Sequence, residues 1–107
     1  MTKVTIFKQQ GLYKGFEVSG HSGYADAGED IVCAAISALT INCINSIETF
    51  TNDEFLLDTD EEAGVIRLIF SYKPGSKSEL LIDSLALGLR EIENENKEYI
   101  TLDFKEV

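Results

Sequence analysis

The chain has 107 residues, 44% of them hydrophobic and 26% charged, which is the size and composition of one globular domain. Nineteen acidic against nine basic residues give a net charge of −10, which argues against nucleic-acid partners and favours a basic one. We see no signal peptide and no apolar run long enough to span a bilayer, so we expect a cytoplasmic protein without a membrane segment.

The chain is predicted to open with a β-hairpin over residues 2–9 and 12–19. Apolar residues such as Val4 and Ile6 alternate with polar neighbours, and Gln10-Gly11 supplies the turn. Residues 20–28 contain three glycines and show no periodicity, so they are predicted to form a loop. A long loop in so small a domain is often functional.

A long helix is predicted over residues 30–50, followed by a second hairpin with strands at 53–60 and 65–72. Ser76 and Glu79 match a capping box that would start a second helix ending near residues 94–96, and residues 99–104 form a last strand. The order ββαββαβ predicts one α+β domain over residues 1–107, with a mostly antiparallel sheet. The long helix is apolar over more of its surface than a two-layer domain buries, which predicts a homodimer.

The candidate chemistry lies where the loop meets the long helix. His21, the chain's only histidine, opens the loop, and Cys33 is predicted to lie in the first turn of the helix. A helix N-terminus stabilises a thiolate, a nearby imidazole can take the thiol proton, and N–H groups near Cys33 could hold an oxyanion. The alternatives are a buried, inert Cys33 and a His21 that bonds a backbone carbonyl. The cysteines show neither a disulfide framework nor zinc-finger spacing.

Residues 20–25 (GHSGYA) and 28–37 (GEDIVCAAIS) resemble the signature of the ribosomal-processing cysteine protease family, Prp, and the likeness extends over essentially the whole chain. The resemblance implies a homodimeric cytoplasmic protease that removes the N-terminal extension of a large-subunit ribosomal protein, with no metal or organic cofactor. It places the nucleophile on Cys33 and the base on His21, with supporting positions at Asp30 and Ser37. The small and polar residues expected to border the substrate in the loop are Gly20, Ser22, Gly23, Tyr24 and Gly28.

Some roles stay open on the sequence alone. Asp30 could orient the imidazole, or it could be the N-cap of the helix. Ser37 could bond the thiolate or the substrate, or bond back to the carbonyl of Cys33. The main alternative function is a non-catalytic peptide-binding or ribosome-assembly module. A thiol-exchange protein is a third reading, but Cys43 lies about 15 Å from Cys33 along the helix, too far for a disulfide.

Overall fold

Five strands and two helices follow one another in the predicted order ββαββαβ. The computed structural model describes residues 1–20 and 27–107, with side chains for residues 1–20 and 30–107. The elements are β1 (Thr2–Gln9), β2 (Leu12–Ser19), α1 (Ala27–Phe50), β3 (Phe55–Asp60), β4 (Val65–Phe70), α2 (Ser76–Glu95) and β5 (Ile100–Glu106).

The strands form one sheet in the order β3-β4-β2-β1-β5. β1 and β5 are parallel, and all other neighbours are antiparallel. The predicted α+β class with a mostly antiparallel sheet is therefore confirmed. The β1–β2 hairpin turns at Gln10 and Gly11, whose φ angles of 53° and 81° are those of a two-residue turn that matches the twist of its strands.

The core lies between the two helices and one face of the sheet. Alternate residues of β1 show this arrangement, since Thr2, Val4 and Ile6 are buried whereas Lys3 is exposed. Both helices contribute buried residues to the same apolar cluster. Those of α1 are Val32, Ile36, Cys43, Ile44 and Ile47.

Residues 30–50 of α1 are long and apolar enough to cross a membrane, with a mean hydropathy of 1.6, so the expectation that no such run exists was wrong. In the fold this segment packs against α2 and supplies core residues. Only 33% of its most apolar stretch is buried, and Ile31 and Ile41 lie exposed.

Helix α1 begins at Ala27, three residues earlier than predicted. Asp30 is therefore the fourth residue of the helix, and its predicted role as N-cap is wrong. Gly28, predicted as the last residue of the loop, belongs to the helix. A single glycine costs a helix only about 1 kcal/mol relative to alanine, which does not prevent a long, well-packed helix from including it.

The predicted capping box at the start of α2 is also wrong. Gly75 occupies the N-cap position and makes no side-chain cap. The carboxylate of Glu79 instead accepts a hydrogen bond from the Tyr13 N–H at 2.9 Å. Asp53 takes over the capping, since its Oδ2 accepts bonds from Gly75 N and Ser78 Oγ. Because Asp53 is held there, β3 begins two residues later than predicted.

The ends of the last two strands also differ from the prediction. β4 ends at Phe70, two residues early, where the N–H of Ser71 bonds the carbonyl of Glu54. β5 runs on to Glu106, because its parallel pairing with β1 continues to the Lys8 and Glu106 pair.

Candidate active site

A cleft of about 410 Å³ opens where the first half of α1 meets the ends of four strands. Its other walls are the starts of β1 and β4, the ends of β2 and β3, and the turn between β3 and β4. The described residues that line it are Thr2, Val18, Gly20, Cys33, Ile36, Ser37, Thr59, Asp60, Glu61, Gly64, Val65 and Ile66.

Cys33 is a half-buried residue in the wall of this cleft. Its Sγ lies 3.4 Å from Oγ1 of Thr2, close enough for a hydrogen bond in which either atom can donate. A thiol in the wall of an open cleft can be reached by a substrate, as a nucleophile requires.

The predicted position of Cys33 in the first helical turn is wrong. It is the seventh residue of α1 and lies in the second turn, about 9 Å along the axis from the start. Only the first four N–H groups of a helix lack an internal partner, and the dipole effect fades beyond the first turn. The N–H of Cys33 is therefore bonded inside the helix, so the expected oxyanion donors near Cys33 stay a prediction that concerns other N–H groups.

Ser37 and Asp30 differ in their relation to the cleft. Ser37 lies one turn after Cys33, is exposed and lines the same cleft. Asp30 is exposed on α1 and does not belong to the described wall. The structure thus brings Ser37 to Cys33, while a role for Asp30 in orienting an imidazole stays a prediction.

The predicted base and most of the predicted substrate loop lie outside the described residues. These are His21, Ser22, Gly23 and Tyr24. Gly20, which precedes them, lies in the wall of the cleft. A Cβ on Gly20 would stand 2.4 Å from the carbonyl oxygen of Met1, so the end of β2 packs tightly against the start of β1 beside Thr2.

Sequence reasoning missed two parts of the cleft. Thr2 is buried beside Cys33, and the pattern that could have found it is its spacing of two and four residues from Val4 and Ile6 on the core face of β1. Asp60, the last residue of β3, and Glu61, the next residue, bring carboxylates to the cleft. The turn was predicted, but its position at the same cleft as α1 depends on the order of strands in the sheet.

Cys43, ten residues beyond Cys33, has a different environment. It is buried in the core, and its Sγ donates a hydrogen bond to the carbonyl of Leu81 at 3.7 Å. Burial raises the pKa of the Cys43 thiol to about 11. The thiolate of Cys43 is thus scarce at neutral pH. Within the described part of the chain, no group of three or more His, Cys, Asp or Glu residues is placed to hold a metal ion.

Comparison with known proteins points to one family. The model of the family described as cysteine protease Prp matches residues 1–101. The ribosomal processing cysteine protease Prp of Bacillus subtilis is 33% identical over 87 residues, which cover 78% of each chain. The corresponding protein of Staphylococcus aureus is 27% identical over 88 residues, covering 82% of this chain and 83% of the relative.

Solved structures share the fold over almost the full length. The Staphylococcus aureus ribosomal processing protease Prp in complex with a substrate peptide superposes with a TM-score of 0.91 at 25% identity, covering 98% of this chain and 100% of that one. A Streptococcus mutans protein superposes with a TM-score of 0.90 at 29% identity, covering 100% of this chain and 96% of that one.

Proposed function

The chain belongs to the cysteine protease Prp family, and from that premise we propose that it is an endopeptidase that removes the N-terminal extension of a large-subunit ribosomal protein. The observation that carries the proposal is the position of Cys33, a half-buried thiol in the wall of a cleft of about 410 Å³. Because ribosomes assemble in the cytoplasm, the enzyme acts there.

Cys33 is the nucleophile and His21 is the general base. The Cys33 sulfur gives its proton to the imidazole and forms a C–S bond with the scissile carbonyl carbon, whose C=O electron pair moves to the oxygen. When the tetrahedral intermediate collapses, the C–N bond breaks and the imidazolium protonates the departing amine. Water then hydrolyses the thioester, passing a proton through His21 back to the sulfur.

The oxyanion donors must come from groups other than the N–H of Cys33, which is engaged in the helix. The first-turn N–H groups of α1 have no partner within the helix, so in this proposal they are the candidates for this role. Ser37, one turn after Cys33 in the cleft wall, is placed to contact the substrate.

The charges at the cleft favour a basic substrate. Both charged residues in its described wall, Asp60 and Glu61, are acidic, and the chain as a whole carries −10. A basic ribosomal extension would therefore be attracted over a long range and held near the thiol. Replacing both carboxylates (Asp60→Asn with Glu61→Gln) should raise KM for a Lys-rich peptide several-fold while leaving kcat within about twofold. An unchanged KM would show that these two carboxylates do not contribute to substrate binding.

Cleavage of defined peptides tests the proposed activity. Synthetic peptides covering the N-terminal 25 or so residues of each large-subunit ribosomal protein from the same organism are incubated with the protein, and the products are weighed by mass spectrometry. We expect one peptide to be cut at one bond, with at least about a thousandfold loss in Cys33→Ser and His21→Ala.

Cys43→Ser is the matched control, because it removes the buried thiol and leaves the cleft intact. Cleavage that survives in Cys33→Ser would overturn the assignment of the nucleophile. Binding of the peptide by the wild-type protein without any cut would instead support the non-catalytic peptide-binding or ribosome-assembly module.

The enzyme works as a homodimer in this proposal, with an exposed face of α1 as the interface. The residues of this face recur at helical spacing, and Ile31 is 70% and Ile41 49% exposed. Between them lie the exposed residues Ala34, Ala35 and Ala38. Small and branched apolar side chains at such spacing let two helices pack closely against each other.

Sedimentation velocity at micromolar concentration tests the dimer. We expect twice the chain mass of 11.9 kDa for the wild type and a single chain mass for Ile41→Lys. Leu87→Lys, at an exposed leucine of α2, is the control and should stay dimeric. A wild-type monomer, or a monomer caused by Leu87→Lys alone, would contradict the proposed interface.

A further inference from the structure

The nucleophile proposed above has a neighbour on β1 that neither the family resemblance nor the predicted dyad includes. Oγ1 of Thr2 lies 3.4 Å from Sγ of Cys33. Thr2 is only 4% exposed and Cys33 is half-buried, so the contact is partly removed from water. The side chain belongs to the first residue of β1, so the hydroxyl comes to the sulfur from the sheet rather than from α1.

The backbone around Thr2 holds this hydroxyl in place. The N–H of Thr2 donates to the carbonyl of Tyr99 at 2.8 Å, and Thr2 pairs with Ile100 in the parallel ladder between β1 and β5. Gly20 approaches from the other side, where an added Cβ would come within 2.9 Å of the Thr2 Cα. Two neighbouring segments therefore fix the position of Thr2.

A charged sulfur changes which atom can donate in this bond. A thiol can donate to the hydroxyl oxygen or accept from it, whereas a thiolate can only accept. When Cys33 is ionised, the hydroxyl of Thr2 must therefore point its proton at the sulfur. A hydrogen bond to an ionised group is about twice as strong as a neutral one, and removal from water strengthens it further.

We propose that Thr2 is the hydrogen-bond donor that stabilises the Cys33 thiolate and fixes the direction of its sulfur for attack, which rests on the proposed function in that Cys33 is the nucleophile. Cys33 lies in the second helical turn, where the helix N-terminus stabilises a thiolate less than in the first turn. The hydrogen bond from Thr2 replaces part of that stabilisation of the thiolate. Gly20 packs against the backbone of Thr2 and directly precedes His21 in the chain. Thr2 is therefore also adjacent to the segment that carries the proposed base.

Other charged groups near the sulfur are the same in every variant used to test this. Asp60 and Glu61 line the cleft at the end of β3, and Asp30 lies three residues before Cys33 on α1. His21, the proposed base, is also unchanged. A difference between Thr2 variants therefore reports the hydroxyl and not the surrounding charges.

The test compares Thr2→Val, which has nearly the same shape but no hydroxyl, with Thr2→Ser, which keeps the hydroxyl. The first readout is the pH midpoint for alkylation of Cys33 by iodoacetamide, followed by peptide mass without any substrate. The second is kcat/KM for the peptide cut by the wild-type protein. Thr5→Val is the matched control on β1, because Thr5 points to the opposite face of the sheet.

We expect Thr2→Val to raise the alkylation midpoint by about one pH unit and to lower kcat/KM at pH 7 about tenfold. Thr2→Ser and Thr5→Val should stay within about 0.3 pH unit and threefold of the wild type. Circular dichroism melts check the fold of each variant. If Thr2→Val does not fold, Thr2→Ala replaces it with the same expected shift.

A Thr2→Val profile equal to that of the wild type, or an equal shift in Thr2→Ser, would overturn the proposal. The two claims fail separately. A wild-type protein that cuts no peptide contradicts the proposed function, yet its alkylation profile still tests Thr2. A wild-type protein that cuts its peptide, with Thr2→Val equally active and equally alkylated, contradicts only the role of Thr2.

Discussion

The two cysteines should differ widely in reactivity, and the buried one gives a rate that can be worked out from the structure. Burial raises the pKa of Cys43 to about 11, so only about one molecule in a thousand carries its thiolate at pH 8. An unperturbed cysteine, with a pKa of about 8.5, is about one-quarter ionised at that pH. The ratio predicts alkylation of Cys43 about 200-fold slower than that of a free cysteine. The buried position of Cys43 can only slow it further.

The Cys33→Ser variant isolates Cys43 for this measurement. Its alkylation by iodoacetamide at pH 8 is followed by intact mass, next to a short peptide containing one cysteine. We expect the 200-fold difference in the folded protein, a rate that rises about tenfold per pH unit up to pH 10, and equal rates in concentrated urea. A native rate within tenfold of that of the peptide would refute the reasoning. The Cys43→Ser variant reports Cys33 alone, which should react much faster.

Three further predictions concern stability and are measured by urea unfolding. Thr40→Val should stabilise the fold by about 1 kcal/mol, because the buried Thr40 hydroxyl finds no hydrogen-bond partner among the described residues. Glu93→Gln should destabilise the fold by about 0.5 kcal/mol at pH 7. A hydrogen bond from the Leu102 N–H, and to a lesser extent one from Arg90, lowers the pKa of the Glu93 carboxyl below its ordinary 4.5. Because the pKa of Glu93 is lower in the folded state, its charge stabilises the fold above pH 4.5, and this stabilisation is lost as the pH falls through the folded-state pKa. The free energies of unfolding of the wild type and of Glu93→Gln should therefore converge in acid. Gly20→Ala should cost about 2 kcal/mol or more, because φ is +117° and the new Cβ would meet the Met1 carbonyl oxygen at 2.4 Å. Its control, Gly11→Ala, has a φ of +81° with nothing within 4 Å and should cost only about 1 kcal/mol.

The elements of the fold could be predicted because their signals are local. Both strands of the first hairpin were predicted at their observed bounds, since the alternation around Val4 and Ile6 and the Gln10-Gly11 turn act over a few residues. The first residues of the two helices were predicted less accurately than these strands. Gly28 was predicted to lie in a loop, and Ser76 was predicted to be a cap. In the structure, Tyr13 bonds Glu79 and Asp53 bonds Gly75, and both partners come from distant parts of the chain.

The candidate site could be predicted only in part, for the same reason. Cys33 was identified from the motif and lies in the wall of a cleft. Its contact with Thr2 joins residues 31 positions apart, and the approach of Asp60 to the cleft follows from β4 pairing with β2. No periodicity or motif encodes such contacts, because they arise from how the strands are ordered in the sheet.

The central claim, that Cys33 attacks a peptide carbonyl, is tested most directly by capturing the thioester. The protein is mixed with an excess of the peptide that it cuts, the reaction is quenched in acid within milliseconds to seconds, and the intact mass is recorded. We predict an increase equal to the amino-terminal product minus one water, which peptide mapping places on Cys33 and which disappears in Cys33→Ser. An adduct on another residue, or cleavage by Cys33→Ser at the wild-type rate, would contradict the account.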